Sequence, residues 1–267
     1  MLHYRSFGEG ETLVFLHGFL ESSTMWSYLS LNEIQRHCVL IDLPGHGESI
    51  LTDASEIPSI RFMAQQVLEV LKELKITQFT LVGHSLGAYV GLELCQLAPC
   101  QKLIFLNSNC WSDDEQKRRD RLRVADLVYK AKQHFIREAI PGLFGRPADF
   151  QKEINALMKE ANHMSADAIA YAALAMRERI DYTGEVLANP LKYPINPPYL
   201  YNDRLERLFD LGRMVHIDHQ LGDHQEKLLE KLGIALGFTP ENICYVVNKS
   251  LSLIDKKVDL DTFIYEM

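Results

Sequence analysis

The chain has 267 residues, of which 47% are hydrophobic and 24% are charged, and its formal net charge is −8. This balance is typical of a globular protein and excludes a disordered chain, a collagen-like repeat and a coiled-coil rod. Because binding to nucleic acid or to an anionic membrane requires a cationic face, the surplus of acidic residues argues against both kinds of partner.

Four short apolar runs occur in the first part of the chain. Each is rich in β-branched or aromatic residues and ends at a glycine, a proline or a polar residue, which is typical of strands buried on both faces of a parallel sheet. The predicted strands are Glu11–Leu16, His37–Asp42, Gln78–Val82 and Lys102–Leu106.

Helical patterns fill two of the intervals between these runs. Apolar residues recur at helical spacing from Ser59 to Leu74, and Ser59 stands where an N-terminal cap is expected. A second helix is predicted after Leu86 and should end before Pro99, because proline cannot continue a helix. The alternation predicts right-handed crossovers in an open, mostly parallel α/β sheet flanked by helices.

The pattern changes at Trp111. From Ser112, which forms a capping-box pattern with Glu115, to about Arg179 the sequence shows only helical periodicity. We interpret this stretch as a helical cap inserted into the α/β core. The predicted division is a core of residues 1–110 and 186–267 and a cap of residues 111–185.

Four arginines lie close together at the start of the predicted cap, between residues 118 and 123. One interpretation is a solvated helix face, and the other is a patch that binds an anion. Acidic neighbours at residues 113–115 and at Asp120 favour the solvated face.

Regularity weakens beyond Tyr193. Three prolines between residues 194 and 198 exclude a central strand at this point. Farther on, Arg213–Ile217 is predicted as a short strand and Gln225–Leu236 as a helix.

The sequence GHSLG at residues 83–87 fits the GxSxG pattern of a nucleophile elbow. It directly follows a predicted strand and directly precedes a predicted helix. Such an abrupt turn strains the serine backbone and crowds the flanking positions, which accounts for the glycines. The hydroxyl of Ser85 would then stand near a helix N-terminus, where developing negative charge is favoured. A glycine-rich turn with an incidental serine is the alternative, which this context disfavours.

A nucleophilic serine needs further groups around it. A general base must accept its proton, a carboxylate must orient that base, and donors must stabilise the oxyanion. The backbone N–H of Leu86 is one candidate donor, and that of Phe19, in the loop after the first strand, is the other. His17, just before that loop, is interpreted as a buried structural histidine.

Three motifs in this order resemble those of the α/β-hydrolase fold superfamily, in the branch that carries a helical cap. They are HGF at residues 17–19, DLPGHGES at residues 42–49 and GHSLG at residues 83–87. The resemblance extends over roughly residues 1–190. It implies that Ser85 is the nucleophile, that Phe19 and Leu86 donate to the oxyanion, and that substrate binds between sheet and cap.

The later part of the chain departs from the family pattern. The family usually supplies its catalytic acid from a GxxD segment, and the corresponding residues here, 194–199, include no acid. The carboxylates that follow belong to Asp203, Asp210 and Asp218, of which we choose Asp203 as the catalytic acid.

The catalytic base is also displaced from the usual pattern. The family has a Gly-His pair after its last strand, and here two histidines follow the predicted strand at 213–217. His224 comes two residues after Gly222 and precedes a predicted helix, so it is our preferred base. His219 is its rival.

These residues favour a serine hydrolase of the carboxylesterase type, acting on a small ester or thioester through an acyl-enzyme at Ser85. One alternative is a C–C bond hydrolase or lyase on the same fold, in which serine and histidine transfer protons. Another is a catalytically impaired member that only binds a ligand. A haloalkane dehalogenase is disfavoured, since its elbow needs a carboxylate where this chain has serine.

Neither a cofactor nor a metal is implied. The five cysteines are odd in number and irregular in spacing, and they form no CxxC pair, which favours reduced thiols in a cytoplasmic protein. The sequence lacks a signal-peptide pattern and a run of about 18 apolar residues, so we expect no membrane association. The expected partner is a small-molecule substrate, and the oligomeric state is left open.

Overall fold

A mostly parallel sheet of five strands organises the part of the chain that the computed structural model describes. β1 pairs with β3 antiparallel, and the other neighbouring strands are parallel. The strands are β1 (Tyr4–Phe7), β2 (Thr12–Leu16), β3 (His37–Ile41), β4 (Phe79–His84) and β5 (Cys100–Leu106), in the order β1-β3-β2-β4-β5. The four predicted strands are therefore confirmed, and β1 is an additional edge strand.

The structure describes residues 1–52, 57–189, 192–193, 201–216 and 238–267, together with residues 227, 229, 230, 233, 234 and 236. The chain forms two compact units, Met1–Pro194 and Ile195–Met267. None of the helices in these described ranges is long and apolar enough to cross a membrane.

Two helices cover the sheet in the first unit, α1 (Ile60–Glu73) and α2 (Leu86–Leu97). Ser59 caps α1 as predicted, because its Oγ accepts a hydrogen bond of 3.0 Å from the N–H of Phe62. The central strands are buried on both faces. On one face their side chains pack against Trp26 and Leu31 in a separate cluster, and on the other they form one core with both helices. This core fixes the end of β4 and the start of α2, where Ser85 lies.

Four more helices follow β5: α3 (Glu115–Ala139), α4 (Gln151–His163), α5 (Ala166–Arg177) and α6 (Thr183–Ala188). The helical character predicted for this segment is confirmed. The predicted capping box is wrong, because α3 begins later than that pattern requires. Its cap is Asp114, whose carboxylate accepts a 2.7 Å hydrogen bond from the N–H of Lys117.

The second unit is helical where it is described, with α7 (Tyr201–His216), α8 (Ile243–Asp255) and α9 (Leu260–Glu266) around a core of its own. The predicted strand at Arg213–Ile217 is wrong, since residues 213–216 form the end of α7 and Ile217 lies outside the described residues. Helical burial at Leu205, Leu208 and Gly212 explains why the helix continues. Half of the predicted helix Gln225–Leu236 lies outside the described residues; of the described residues, 227, 229, 230, 233 and 234 are helical and 236 is in a turn. The division into core and cap stays a prediction.

Candidate active site

Ser85 occupies a strained turn between β4 and α2. Its φ of 46° and ψ of −113° lie outside the regions that non-glycine residues usually adopt, a conformation that costs on the order of 1–3 kcal/mol. Three hydrogen bonds hold it there. The Ser85 N–H donates to the carbonyl of Leu106 at 3.0 Å, and its own carbonyl accepts from the Ala88 N–H at 3.0 Å and the Ser108 hydroxyl at 2.9 Å.

The hydroxyl of Ser85 is not used as a helix cap. A serine that precedes the first residue of a helix normally accepts a hydrogen bond from the first turn, yet Ser85 makes no such side-chain bond. Backbone interactions therefore stabilise the turn, and the hydroxyl is left available at a half-buried position.

Glycines on both sides of the turn are explained by close packing. A Cβ at Gly83 would lie 2.6 Å from the Cα of Ala88, and one at Gly87 would collide with the carbonyl of Leu16. The turn therefore requires both glycines of the GxSxG pattern, as the sequence interpretation supposed.

A cavity of about 180 Å³ lies in front of Ser85. It brings together the loop after β2, the elbow, and residues of the helical segment that follows β5. Its lining is mainly apolar but includes one carboxylate, one histidine and one guanidinium. The lining residues are Phe19, Leu20, Glu21, His84, Ser85, Arg121, Ala139, Leu143 and Met176.

His17 is fully buried and has a structural role. Its Nε2 accepts a 2.9 Å hydrogen bond from the N–H of Leu43, so the proton is on Nδ1, which donates to the carbonyl of Gly18 at 2.8 Å. Burial lowers the pKa of His17 to about 4, against the smaller opposing effects of that bond and of the charge on Asp42. The ring is neutral at pH 7 and ties β2 to the loop after β3.

Asp42, the first residue of the DLPGHGES motif, fastens a loop. Its carboxylate accepts hydrogen bonds from the N–H of Ser23 at 2.7 Å, the N–H of Glu48 at 3.0 Å and the ring of His3 at 2.8 Å. Burial acts to raise the pKa of Asp42, but these bonds outweigh it and the pKa is lowered. Gly47 has a φ of +53° and packs against this carboxylate, where a side chain would collide.

His46 is a second fully buried histidine in this region. Its Nδ1 lies 3.0 Å from the carbonyl of Pro44, and its Nε2 has no hydrogen-bond partner in the described part of the chain. Burial is the main reason that the pKa of His46 is lowered to about 3, with a further contribution from His17 nearby.

We expect His46→Gln to reduce the acid sensitivity of folding. The pKa of buried His46 in the folded chain is below the ordinary 6.5, so the unfolded chain binds the extra proton and stability falls as the pH drops from about 6.5 toward 3. This shift in the pKa of His46 lowers the free energy of unfolding by about 2 kcal/mol between pH 7 and pH 5. Urea unfolding at both pH values should show that the decrease in unfolding free energy from pH 7 to pH 5 is smaller in the variant than in the unchanged protein, by about 2 kcal/mol.

The matched control for this measurement is His134→Gln, which changes an exposed histidine. It should keep the full difference in unfolding free energy between pH 7 and pH 5. An equally large difference in His46→Gln and in the unchanged protein would contradict the assignment of acid sensitivity to His46.

Glu21 and His84 form a pair on the wall of the cavity. One carboxylate oxygen, Glu21 Oε2, lies 2.8 Å from His84 Nδ1 and accepts a 2.7 Å hydrogen bond from the N–H of Gly18. The side chains of His84 and Glu21 are only 19% and 12% exposed. Sequence reasoning missed both residues, although a histidine directly before the serine and an acid just after the HGF motif were visible signals.

Arg121 enters the same cavity from α3. Its Nε donates to Asp113 Oδ2 at 3.1 Å, while Asp113 Oδ1 pairs with Arg179 Nη1 at 2.6 Å. Arg179 is 5% exposed on its side chain and lies over the ring of Tyr89 at 4.2 Å. One buried carboxylate is thus shared between two guanidinium groups.

The arginine cluster at residues 118–123 therefore has more than one environment. Arg123 fits the solvated interpretation, since its side chain is 73% exposed and pairs with Asp120. Arg121 does not, because its side chain is only 19% exposed and lines the cavity beside Ser85.

The predicted site residues fall into two groups. Ser85 and Phe19 line one cavity, and Leu86 is the buried first residue of α2 immediately after the serine. Asp203 belongs to α7 in the second unit, but its side chain is outside the described part of the structure. His219 and His224 lie entirely outside the described residues. The assignments of base and acid therefore stay predictions.

Within the described ranges, no group of three or more histidine, cysteine, aspartate or glutamate side chains is arranged to hold a metal ion. The cysteines at positions 38, 95, 100, 110 and 244 are free thiols.

Comparison with known proteins gives a family match over most of the chain. A family model described as the alpha/beta hydrolase family matches residues 13–230. Among solved structures, a thermophilic esterase from Thermogutta terrifontis is similar with a TM-score of 0.62 and 25% identity, over 70% of this chain and 71% of that one.

Curated relatives match over shorter stretches. The chain is 37% identical over 94 residues to the dihydrolipoyllysine-residue acetyltransferase component of the acetoin cleaving system of Pseudomonas putida, which is 34% of this chain and 25% of that protein. It is 34% identical over 89 residues to the 2-succinyl-6-hydroxy-2,4-cyclohexadiene-1-carboxylate synthase of Photorhabdus laumondii subsp. laumondii, 33% of this chain and 31% of that protein. The matched parts span about a quarter to a third of these relatives.

Proposed function

The chain belongs to the alpha/beta hydrolase family, and on this premise we propose that it is a serine hydrolase of small carboxylic esters or thioesters. The observation that carries the proposal is the backbone of Ser85, held at a φ of 46° with its hydroxyl free of any helix-capping bond, beside a cavity. A protein gains nothing in stability from such a strained serine, so the arrangement points to chemistry at the hydroxyl.

In the proposed reaction, Ser85 Oγ attacks the carbonyl carbon of the substrate. His224 accepts the serine proton and returns it to the leaving alcohol or thiol, and Asp203 orients the imidazole. The N–H groups of Phe19 and Leu86 donate to the oxyanion, and Leu86 adds the positive end of the α2 dipole. Water then attacks the acyl carbonyl as His224 accepts its proton, and His224 returns the proton to Ser85 Oγ as the bond to the acyl group breaks and the acid is released.

Two observations support a small ester as the substrate. The cavity before Ser85, at about 180 Å³, is smaller than the usual range of ligand pockets. The similar structure from Thermogutta terrifontis is described as an esterase, at 25% identity. Phe19, Leu143 and Met176 supply apolar lining for the organic part of the substrate.

A C–C bond hydrolase or lyase is the second candidate. The similarity to the 2-succinyl-6-hydroxy-2,4-cyclohexadiene-1-carboxylate synthase favours it, since that name denotes chemistry other than ester hydrolysis. In such a reaction Ser85 and its base would transfer protons without forming an acyl-enzyme. Turnover of p-nitrophenyl acetate or butyrate that is lost in Ser85→Ala would favour the esterase over the C–C bond hydrolase or lyase. Only the esterase reaction needs attack by the serine on an ester carbonyl.

A fluorophosphonate probe tests the proposed function directly. We expect it to label the protein at Ser85, as mapped by peptide mass spectrometry, because the probe reacts with serines activated by a base. His224→Ala should lower the labelling rate by more than a hundredfold, whereas His219→Ala should leave it within about threefold. The reverse result would assign the base to His219, and labelling at another residue would refute the role of Ser85.

A further inference from the structure

We propose that Glu21 is a positioning residue of this active site, one that ties the loop carrying the Phe19 amide to the histidine before Ser85. The inference rests on the proposed function of Ser85. Glu21 neither attacks the substrate nor donates to it in this proposal. It acts through Gly18 and His84, and thereby sets the spacing of the two amides that receive the oxyanion.

A single oxygen forms the connection. Glu21 Oε2 accepts from the N–H of Gly18 at 2.7 Å and lies 2.8 Å from His84 Nδ1, a donor distance for a ring that carries its proton there. The two partners lie on different elements, since Gly18 follows β2 and His84 ends β4. The carboxylate therefore joins the loop to the elbow.

The backbone around Glu21 is shaped to deliver this carboxylate. Leu20 has a φ of 65°, which is unusual for leucine, and the N–H of Glu21 donates back to the carbonyl of Gly18 at 3.3 Å. A Cβ at Gly18 would lie 2.5 Å from Glu21 Oε2 and 2.8 Å from His84 Nδ1. The position of the Glu21 carboxylate thus explains both the strained backbone at Leu20 and the glycine at position 18.

The connection matters because the oxyanion donors lie next to its two ends. Phe19 directly follows Gly18, and Leu86 comes two residues after His84. The two amides belong to separate segments, so nothing in either segment alone fixes the distance between them. A misplacement of about 1 Å in a catalytic group can cost a factor of about 100 in rate.

The charge of Glu21 would otherwise be unfavourable. A carboxylate on the wall of the cavity opposes the negative charge that develops on the substrate oxygen. Its two donors, the Gly18 amide and the His84 ring, partly offset that charge. A positioning role accounts for the presence of a largely buried acid on this wall.

Glu21→Ala and Glu21→Gln test the proposal with p-nitrophenyl butyrate. We expect Glu21→Ala to lower kcat by about 30- to 100-fold with KM within about threefold, since the donors act mainly in the transition state. Glu21→Gln should recover kcat to within about fivefold of the unchanged protein. Its amide oxygen can take the place of Oε2 and accept from both the Gly18 N–H and His84 Nδ1–H, although it carries no charge.

Glu160→Ala is the matched control. Glu160 is also a half-buried carboxylate, and it accepts from the hydroxyls of Ser22 and Thr24 just beyond Glu21, but it does not line the cavity at Ser85. Its kcat should stay within about twofold. Equal losses of kcat in Glu160→Ala and Glu21→Ala would show a general loosening of the loop and would overturn the proposal.

Hydrogen exchange of the Gly18 amide gives a readout that needs no substrate. In Glu21→Ala this exchange should be at least tenfold faster, while Glu160→Ala should leave it unchanged. Unchanged exchange in Glu21→Ala would overturn the connection itself. Faster exchange with unchanged kcat would overturn the positioning role alone and leave the proposed function intact. If the unchanged protein showed neither turnover nor probe labelling, the proposed function would fail, and this role with it.

Discussion

Ser85→Ala is expected to lower kcat for p-nitrophenyl butyrate by a factor of about 10⁴–10⁶. Removing the nucleophile removes the acyl-enzyme route, and only binding and oxyanion stabilisation would remain to accelerate attack by water. The free energy of unfolding should change by less than about 1 kcal/mol, because the hydroxyl caps no helix and its loss leaves the backbone bonds of the elbow in place. Steady-state kinetics and urea unfolding measure the two effects.

Ser108→Ala is the control for this experiment. Its hydroxyl donates to the carbonyl of Ser85 at 2.9 Å, so the variant loses a neighbouring serine hydroxyl and one hydrogen bond of about 0.5–1.5 kcal/mol. We expect kcat to fall by less than tenfold. Retention of most of the ester hydrolysis in Ser85→Ala would refute the nucleophile and favour the proton-transfer chemistry of the second candidate function.

The elbow could be predicted from sequence because local residues determine it. Gly83 and Gly87 are required by contacts with the helix that follows and with β2, and the strand before Ser85 has buried apolar residues at Phe79, Leu81 and Val82. The buried strands were predictable for the same reason. β1 was missed because none of its residues is buried, and it gains its place by pairing with β3.

The walls of the cavity could not be predicted in the same way. Glu21 and His84 are 63 positions apart in sequence. Behind the cavity residue Arg121, Asp113 pairs with Arg179, which lies 66 positions after it. No pattern within either segment indicates which distant partner its charge will meet. A local pattern can also mislead. Ser112 and Glu115 have the spacing of a capping box, yet Asp114 caps α3.

We expect Asp113→Ala to lower the free energy of unfolding by about 3–5 kcal/mol. The variant would leave Arg179, which is 5% exposed, without its carboxylate partner, and it would also release Arg121. Two carbonyls that accept from Arg179, those of Trp111 and Met176, satisfy hydrogen bonds but carry no compensating charge. Urea unfolding at pH 7 provides the measurement.

Asp120→Ala provides the comparison, because Asp120 pairs with Arg123 at 3.1 Å but both side chains are exposed. Water already solvates those charges, so the expected loss is at most about 1 kcal/mol. If the cost of Asp113→Ala comes from the buried guanidinium, Arg179→Met in the same chain should recover part of it by removing the unpaired charge. Equal losses in Asp113→Ala and Asp120→Ala, or no recovery in the double variant, would show that the shared carboxylate contributes little to stability. The burial of Asp113 at 3% exposure is the reason to expect otherwise.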